Sequence, residues 1–195
     1  MQRFITIAMF ILLVPAGLYA QHGAMGNMND SMGRKPFLTQ HGNHRIYHLY
    51  VTDTVVNYTG RKVNAVAING SIPGPKLEFT EGDTAEIHVH NLMHMETSIH
   101  WHGLILDNYQ DGVPYLTTAA IAGHSTLVYK FPIVQNGTYW YHSHSMLQEQ
   151  SGMYGAFIIH KKNETPHNEY TLLLSDWTNE KPEQVERSLH YATDW

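Results

Sequence analysis

An all-β domain, a sandwich or small barrel, is the fold class this sequence predicts, and three observations predict it. Thr, Tyr, Val and Ile recur in short runs separated by Gly, Pro and Asn, a composition that suits strands and turns better than helices. Several of these runs alternate apolar and polar residues with the period of two that half-buries a strand. Apolar residues make up 43% of the 195-residue chain and charged residues only 15%, so a sizeable core can be built.

Met1 to Ala20 reads as a secretory signal. Arg3 supplies the positive start, Phe4 to Val14 the apolar stretch and Leu18-Tyr19-Ala20 a cleavage site. The apolar run is short for a membrane span of roughly 20 residues, and a single Arg points to the general secretory route rather than the twin-Arg route. Residues 21–45 follow as a flexible arm rich in Gly, Asn, His and Met. Within it His22, Met25, Met28 and Met32 are spaced closely enough to wrap one soft ion, and thioether sulfur favours Cu(I). A linker whose methionines bind nothing is the alternative.

From His44 the pattern turns to strands, with the domain itself placed at residues 46–162. Tyr47, Leu49 and Val51 alternate with His48, Tyr50 and Thr52. Lys62 to Asn69 gives a second strand that ends in the turn-forming stretch Asn69-Gly70-Ser71-Ile72-Pro73-Gly74-Pro75. After the turn Glu81-Gly82-Asp83, Thr84 to Asn91 alternates again with Ala85, Ile87 and Val89 inward. That leaves His88 and His90 outward as surface residues. His94, between Met93 and Met95 in the next loop, is a further candidate copper contact. Asp107 to Gly123 is a long connection, Ser125 to Phe131 a strand, Asn136-Gly137 a turn and Tyr154 to His160 a closing apolar strand. Residues 163–195 read as a linker and the start of an incomplete second domain. Tyr170 to Leu174 is its first apolar strand, which needs partners this chain does not supply, so the chain looks truncated.

The chemistry concentrates in two His-x-His pairs, His100-Trp101-His102 and His142-Ser143-His144, each beside aromatic residues in a β-forming run. Residues two apart on a strand share a face about 6.6 Å from each other. Such a pair is spaced for adjacent metals rather than for one ion. Two pairs brought together offer four imidazoles to a small cluster of Cu, Zn, Fe or Ni. Trp101 and Trp140 are expected to pack beside the site and limit water access. The formal charge of −5 gives no basic footprint for nucleic acid. The absence of Cys excludes disulfides, thiolate metal sites and a Cys nucleophile within the chain.

Four stretches in order resemble the amino-terminal part of multicopper oxidases, the laccase-like enzymes built from cupredoxin domains. They are Asn69 to Pro75, His100-Trp101-His102-Gly103-Leu104, Asp111-Gly112-Val113-Pro114, and Gly137 to His144 followed by Gly152-Met153-Tyr154-Gly155. The likeness covers roughly Tyr47 to Trp177. The Met/His-rich arm and Ser175-Asp176-Trp177 make it most similar to the bacterial copper-resistance branch. It implies a cupredoxin-like Greek-key sandwich or barrel, with the first strand of a second domain at the C-terminus. It also implies that His100 binds a type 2 copper and that His102, His142 and His144 bind a type 3 pair. These are half of the eight histidines of a trinuclear site that reduces dioxygen to water. Asp111 matches the family's acidic residue that assists proton delivery. On its own chemistry it is a carboxylate able to orient water beside cations, or a turn-forming Asp before Gly112.

The resemblance further implies dioxygen, a small reductant (Cu(I) or a phenol) and the remaining cupredoxin domains as partners. It implies a bacterial periplasmic or secreted location, with no membrane attachment after signal cleavage. Two departures matter. The family's type 1 copper needs a Cys, and no His-x-His recurs after His144, so this chain by itself is expected to be inactive. Ala119-Ala120-Ile121 also stands where many relatives carry Cys-Pro. Two other readings stay open. One is a non-enzymatic periplasmic copper-sequestering protein. The other is a zinc hydrolase, although no acidic residue lies within either pair to act as ligand or base.

Overall fold

The computed structural model describes residues 37–165 and 168–191. The expected signal at residues 1–20 and the arm's His22, Met25, Met28 and Met32 lie outside the described residues.

Two sheets build the domain. The first holds β1 (Leu38–His41), β2 (His44–Val56), β5 (Thr84–Asn91) and β7 (Thr126–Pro132) in that order, with β3 (Val63–Ile68) paired to β2. The second runs β4 (Gly74–Thr80), β9 (Tyr154–His160), β8 (Gly137–His142), β6 (His100–His102). The pairs β2–β5 and β4–β9 are parallel and the remaining ladders antiparallel. This is the all-β arrangement that alternation and turn chemistry predict.

Alternation decides which side chains meet between the sheets. Tyr47, Leu49 and Val51 from β2 and Ile87 and Val89 from β5 face Leu77 and Phe79 from β4 and Phe157 and Ile159 from β9. Aromatic rings lock the layers, with Tyr47 and Phe79 edge to face at 5.2 Å and Trp101 and Tyr129 at 5.1 Å.

The structure differs from the sequence reading in four places. Residues 38–41 are not arm but strand: β1 pairs with β2 from Leu38↔Tyr47 to His41↔His44, and the Phe37 ring packs on Tyr47 at 5.1 Å. Phe37, partly buried against the core, gives this stretch something to pack. β4 went unassigned, although Leu77 and Phe79 are both fully buried. His88 and His90 do lie on the outer face but are half-buried, in a ring stack with His48 and Tyr50. Finally, Tyr170 to Leu174 forms no strand. Tyr170, Leu172 and Leu174 are exposed, and the segment makes no ladder among the described residues. Helix α1 (Pro182–Tyr191) follows, with Pro182 where its fixed φ suits a first helical turn. Among the described residues no helix is long and apolar enough to cross a membrane.

Candidate metal centre

Strand β6 is three residues long and lies at the edge of the second sheet. It pairs with β8 so that His100 faces His142, Trp101 faces Tyr141 and His102 faces Trp140. Alternation sends His100 and His102 to one face and Trp101 into the core, where it is fully buried. β8 brings His142 and Trp140 onto the histidine face. Of the two tryptophans, only Trp140 therefore covers the site. Its ring stacks on His142 at 4.0 Å and on His102 at 5.0 Å. β8 ends at His142, so His144 reaches the site from the following loop, its N–H donated to Ser98 Oγ at 3.0 Å.

His100, His102 and His142 each offer a ring nitrogen within 4.8 Å of the other two. No other group of three or more His, Cys, Asp or Glu side chains is so gathered among the described residues. The His144 ring stands 4.8 Å from that of His100 and 4.9 Å from that of His142. All four sequence-predicted histidines are thus neighbours, and His144 completes the group at its exposed side.

The surrounding acceptors fix which nitrogen is free. His100 Nδ1 donates to the Asp111 carbonyl oxygen at 2.7 Å, with the Asp111 carboxylate 3.4 Å away. His142 Nδ1 faces the Ser143 carbonyl oxygen at 3.1 Å and the Glu149 carboxylate at 2.7 Å. A carbonyl can only accept, so each Nδ1 carries its ring's proton and each Nε2 keeps a lone pair. His142 Nε2 points to His102 Nδ1, 3.2 Å away. Acceptors placed behind imidazoles in this way hold ring orientation and raise ligand basicity. The free Nε2 atoms of His100 and His142, gathered with the rings of His102 and His144, form a donor set that fits copper.

A buried polar lattice steadies the loop carrying His144. Ser145 Oγ donates to Ser98 Oγ at 3.0 Å, and Thr97 and Ser143 both donate to Gln148 Oε1, at 2.6 and 3.0 Å. Sequence reasoning missed Ser98, Gln148 and Glu149, because polar residues in a loop carry no periodic signal. Asp111 follows a short 3-10 turn (Asn108–Gln110), and its carboxylate accepts from Thr117 Oγ1 at 3.3 Å.

Burial, reinforced by the neighbouring His144, His100 and His102, pushes His142 down to about 4 even beside Glu149. Burial likewise lowers His144 and raises the Glu149 carboxyl. A neutral imidazole is the state a metal ligand needs. The same shift has a stability consequence. Between the ordinary histidine value of 6.5 and about 4, the unfolded chain takes up a proton that folded His142 refuses. Stability is therefore full above that window and falls as pH drops through it. Urea unfolding of the metal-free chain should show this slope, and His142→Asn should flatten it. An unchanged slope in that variant would remove His142 as the cause.

The family model described as multicopper oxidase matches residues 50–164. Copper resistance protein A of Escherichia coli is 47% identical over 152 residues, covering 76% of this chain and 25% of that protein. Laccase-2 of Botryotinia fuckeliana is 40% identical over 140 residues, covering 69% and 24%. Among solved structures, Fet3p, a multicopper oxidase that functions in iron import, matches with a TM-score of 0.64 at 34% identity, covering 74% of this chain and 29% of that one. A multicopper oxidase from Campylobacter jejuni, described as a metallo-oxidase, matches with a TM-score of 0.57 at 34% identity, covering 64% and 27%. The chain spans about a quarter of the length of these two curated relatives.

Proposed function

The chain belongs to the multicopper oxidase family, and we propose that it is the amino-terminal part of an exported, periplasmic copper oxidase, supplying half of a trinuclear copper site. The observation that carries this reading is the convergence of His100, His102 and His142 on one sheet face. At His100 and His142 the Nδ1 proton is already committed to acceptors behind the ring. In this reading His100 would hold the type 2 ion, and His102, His142 and His144 the type 3 pair. Bound copper supplies reversible one-electron chemistry, tolerated by imidazole in both oxidation states, for reducing dioxygen to water at the expense of Cu(I) or a phenol.

The chain's own residues do the positioning. The Asp111 carbonyl aims His100, and Glu149 with the Ser143 carbonyl aims His142. Trp140 shields the rings of His102 and His142 from water on one side. The Asp111 carboxylate, 26% exposed and 3.4 Å from His100 Nδ1, is the group that passes protons between solvent and the site. The copper-resistance relatives support copper tolerance as the purpose.

The test is anaerobic Cu(I) loading followed by reoxidation in air, read by copper stoichiometry and by electron paramagnetic resonance. The wild-type chain should bind copper at nitrogen ligands without an intense blue thiolate band. His100→Ala with His142→Ala should remove most of that nitrogen-ligated Cu(II) signal. Undiminished signal in the double variant would sink the half-site.

A further inference from the structure

We infer that His94 and His124 form a second, mononuclear copper(I) site on the protein surface. It shares no ligand with the histidine face described above and stands whether or not that face serves an oxidase. His94 belongs to the loop between β5 and β6, and His124 to the segment entering β7. His124 Nε2 and His94 Nδ1 are 2.9 Å apart, and both side chains are exposed. A hydrogen bond between two solvated imidazoles contributes little to stability, so stability alone gives no reason to hold the two rings together.

Yet the backbone beneath them is built with care. Asn91, fully buried, donates from Nδ2 to the carbonyls of Met95, Ile121 and Ala122 at 2.8, 3.0 and 3.1 Å, tying both loops to one side chain. Thr97 and Ile121 exchange backbone hydrogen bonds at 3.0 and 2.8 Å, and the His124 N–H donates to the Met93 carbonyl at 3.2 Å. At Gly123 the two segments approach so closely that a Cβ would lie 2.3 Å from the His94 carbonyl oxygen. His124 itself sits at φ +57°, the left-handed region, which a residue with a Cβ adopts only under strain. Asn or Gly would suit that backbone better. The strain is spent on aiming an imidazole at His94.

The donor set selects the ion. Each neutral imidazole has one lone pair, and a single proton now lies between the facing nitrogens. An ion with bonds of about 2 Å to nitrogen can replace that proton if the rings part by roughly 1 Å, within reach of two exposed side chains. The neighbouring donors are engaged. Met95 Sδ accepts from Gln148 Nε2 at 3.6 Å, and the Glu96 carboxylate accepts from Tyr115 Oη. Two nitrogens 2.9 Å apart on rings set edge to face, with centroids at 4.6 Å, suit a monovalent d10 ion, Cu(I) or its analogue Ag(I), which is content with two-fold coordination once the exposed rings turn to face it. A divalent ion would have to complete its shell with water.

The experiment titrates the full chain with Ag(I) and follows histidine ring 15N signals. A parallel anaerobic Cu(I) titration against a chromophoric chelator counts tightly bound ions. Both are repeated in His94→Gln/His124→Asn, where Asn keeps the left-handed backbone accessible, and in His102→Gln/His142→Gln. The His94 and His124 signals should shift together, and the first double variant should lose one equivalent of Cu(I). That shift should persist in the second double variant, which separates this site from the histidine face. Unmoved His94 and His124 rings, or unchanged Cu(I) stoichiometry in a folded His94→Gln/His124→Asn chain, would reduce the pair to an ordinary hydrogen bond and overturn the inference.

Discussion

Gly112→Ala is expected to cost the metal-free chain about 3 kcal/mol or more, and to weaken copper binding as well. Gly112 sits at φ +83°, and a Cβ there would lie 1.7 Å from the Ile99 carbonyl oxygen and 3.1 Å from His100 Cα. The left-handed backbone alone accounts for about 1–2 kcal/mol of that loss. The collision adds more, because the obstacle is the backbone of the segment entering β6 rather than a side chain that could turn aside. Relief requires the Asp111–Gly112 peptide to retreat. That breaks the bond from His100 Nδ1 to the Asp111 carbonyl and the bond from the Gly112 N–H to Thr118 Oγ1. Losing the acceptor behind a metal-bound imidazole typically costs 10–100-fold in metal affinity. Asp111→Ala is the companion variant. It keeps the backbone carbonyl, so it should leave affinity nearly intact while removing the carboxylate. Urea unfolding and copper titration of both variants check the account. Equal loss of affinity in the two would shift His100's support from the carbonyl to the carboxylate.

The companion pair also shows what a sequence exposes and what it hides. Period two placed β5 at Thr84–Asn91 and a continuous apolar run placed β9 at Tyr154–His160, both with the bounds the fold adopts, because β5 buries its alternate residues along its whole length and β9 is buried on both faces from Tyr154 to Ile159. The same period put His100 and His102 on one face. Their meeting with His142 depends on β6 lying beside β8, about 40 residues on, and nothing local encodes that pairing. His144 falls beyond the end of β8, so strand logic gave it the right neighbours by the wrong route. The group that fixes the His100 tautomer is a backbone carbonyl, invisible to any reading of side chains. Glu149 was missed because a turn residue has no period to betray it. His94 was visible only as a histidine between methionines, and its partner His124 came into view only with the fold. Tyr170 to Leu174 shows the converse failure, an apolar run that reads as a strand but joins no ladder among the described residues.

Trp101→Ala should lower the stability of the metal-free chain by about 3–5 kcal/mol, the range for truncating a large buried aromatic. Trp101 is fully buried, edge to face with Tyr129 at 5.1 Å and within 6.1 Å of Phe131, Tyr141 and Phe157. Those rings come from both sheets, so the indole is where the sandwich closes behind the histidines. Its position in the strand gives the substitution a second effect. β6 is three residues long, and Trp101 is the only one of them whose side chain enters the core. The flanking histidines are therefore held in place by a residue that touches no metal. Once the ring is gone, only the short ladder to β8 holds this edge strand, and edge pairing alone is a weak anchor. Copper affinity should fall with stability, yet restoring the missing volume should recover both. Trp101→Phe, which keeps an aromatic ring in the core, should regain most of the lost stability and most of the copper binding. Denaturant midpoints and copper titrations of the two variants decide the matter. If Trp101→Ala loses several kcal/mol but binds copper like wild type, the histidine face is held by its own hydrogen bonds, and the core behind it serves only to keep the domain folded.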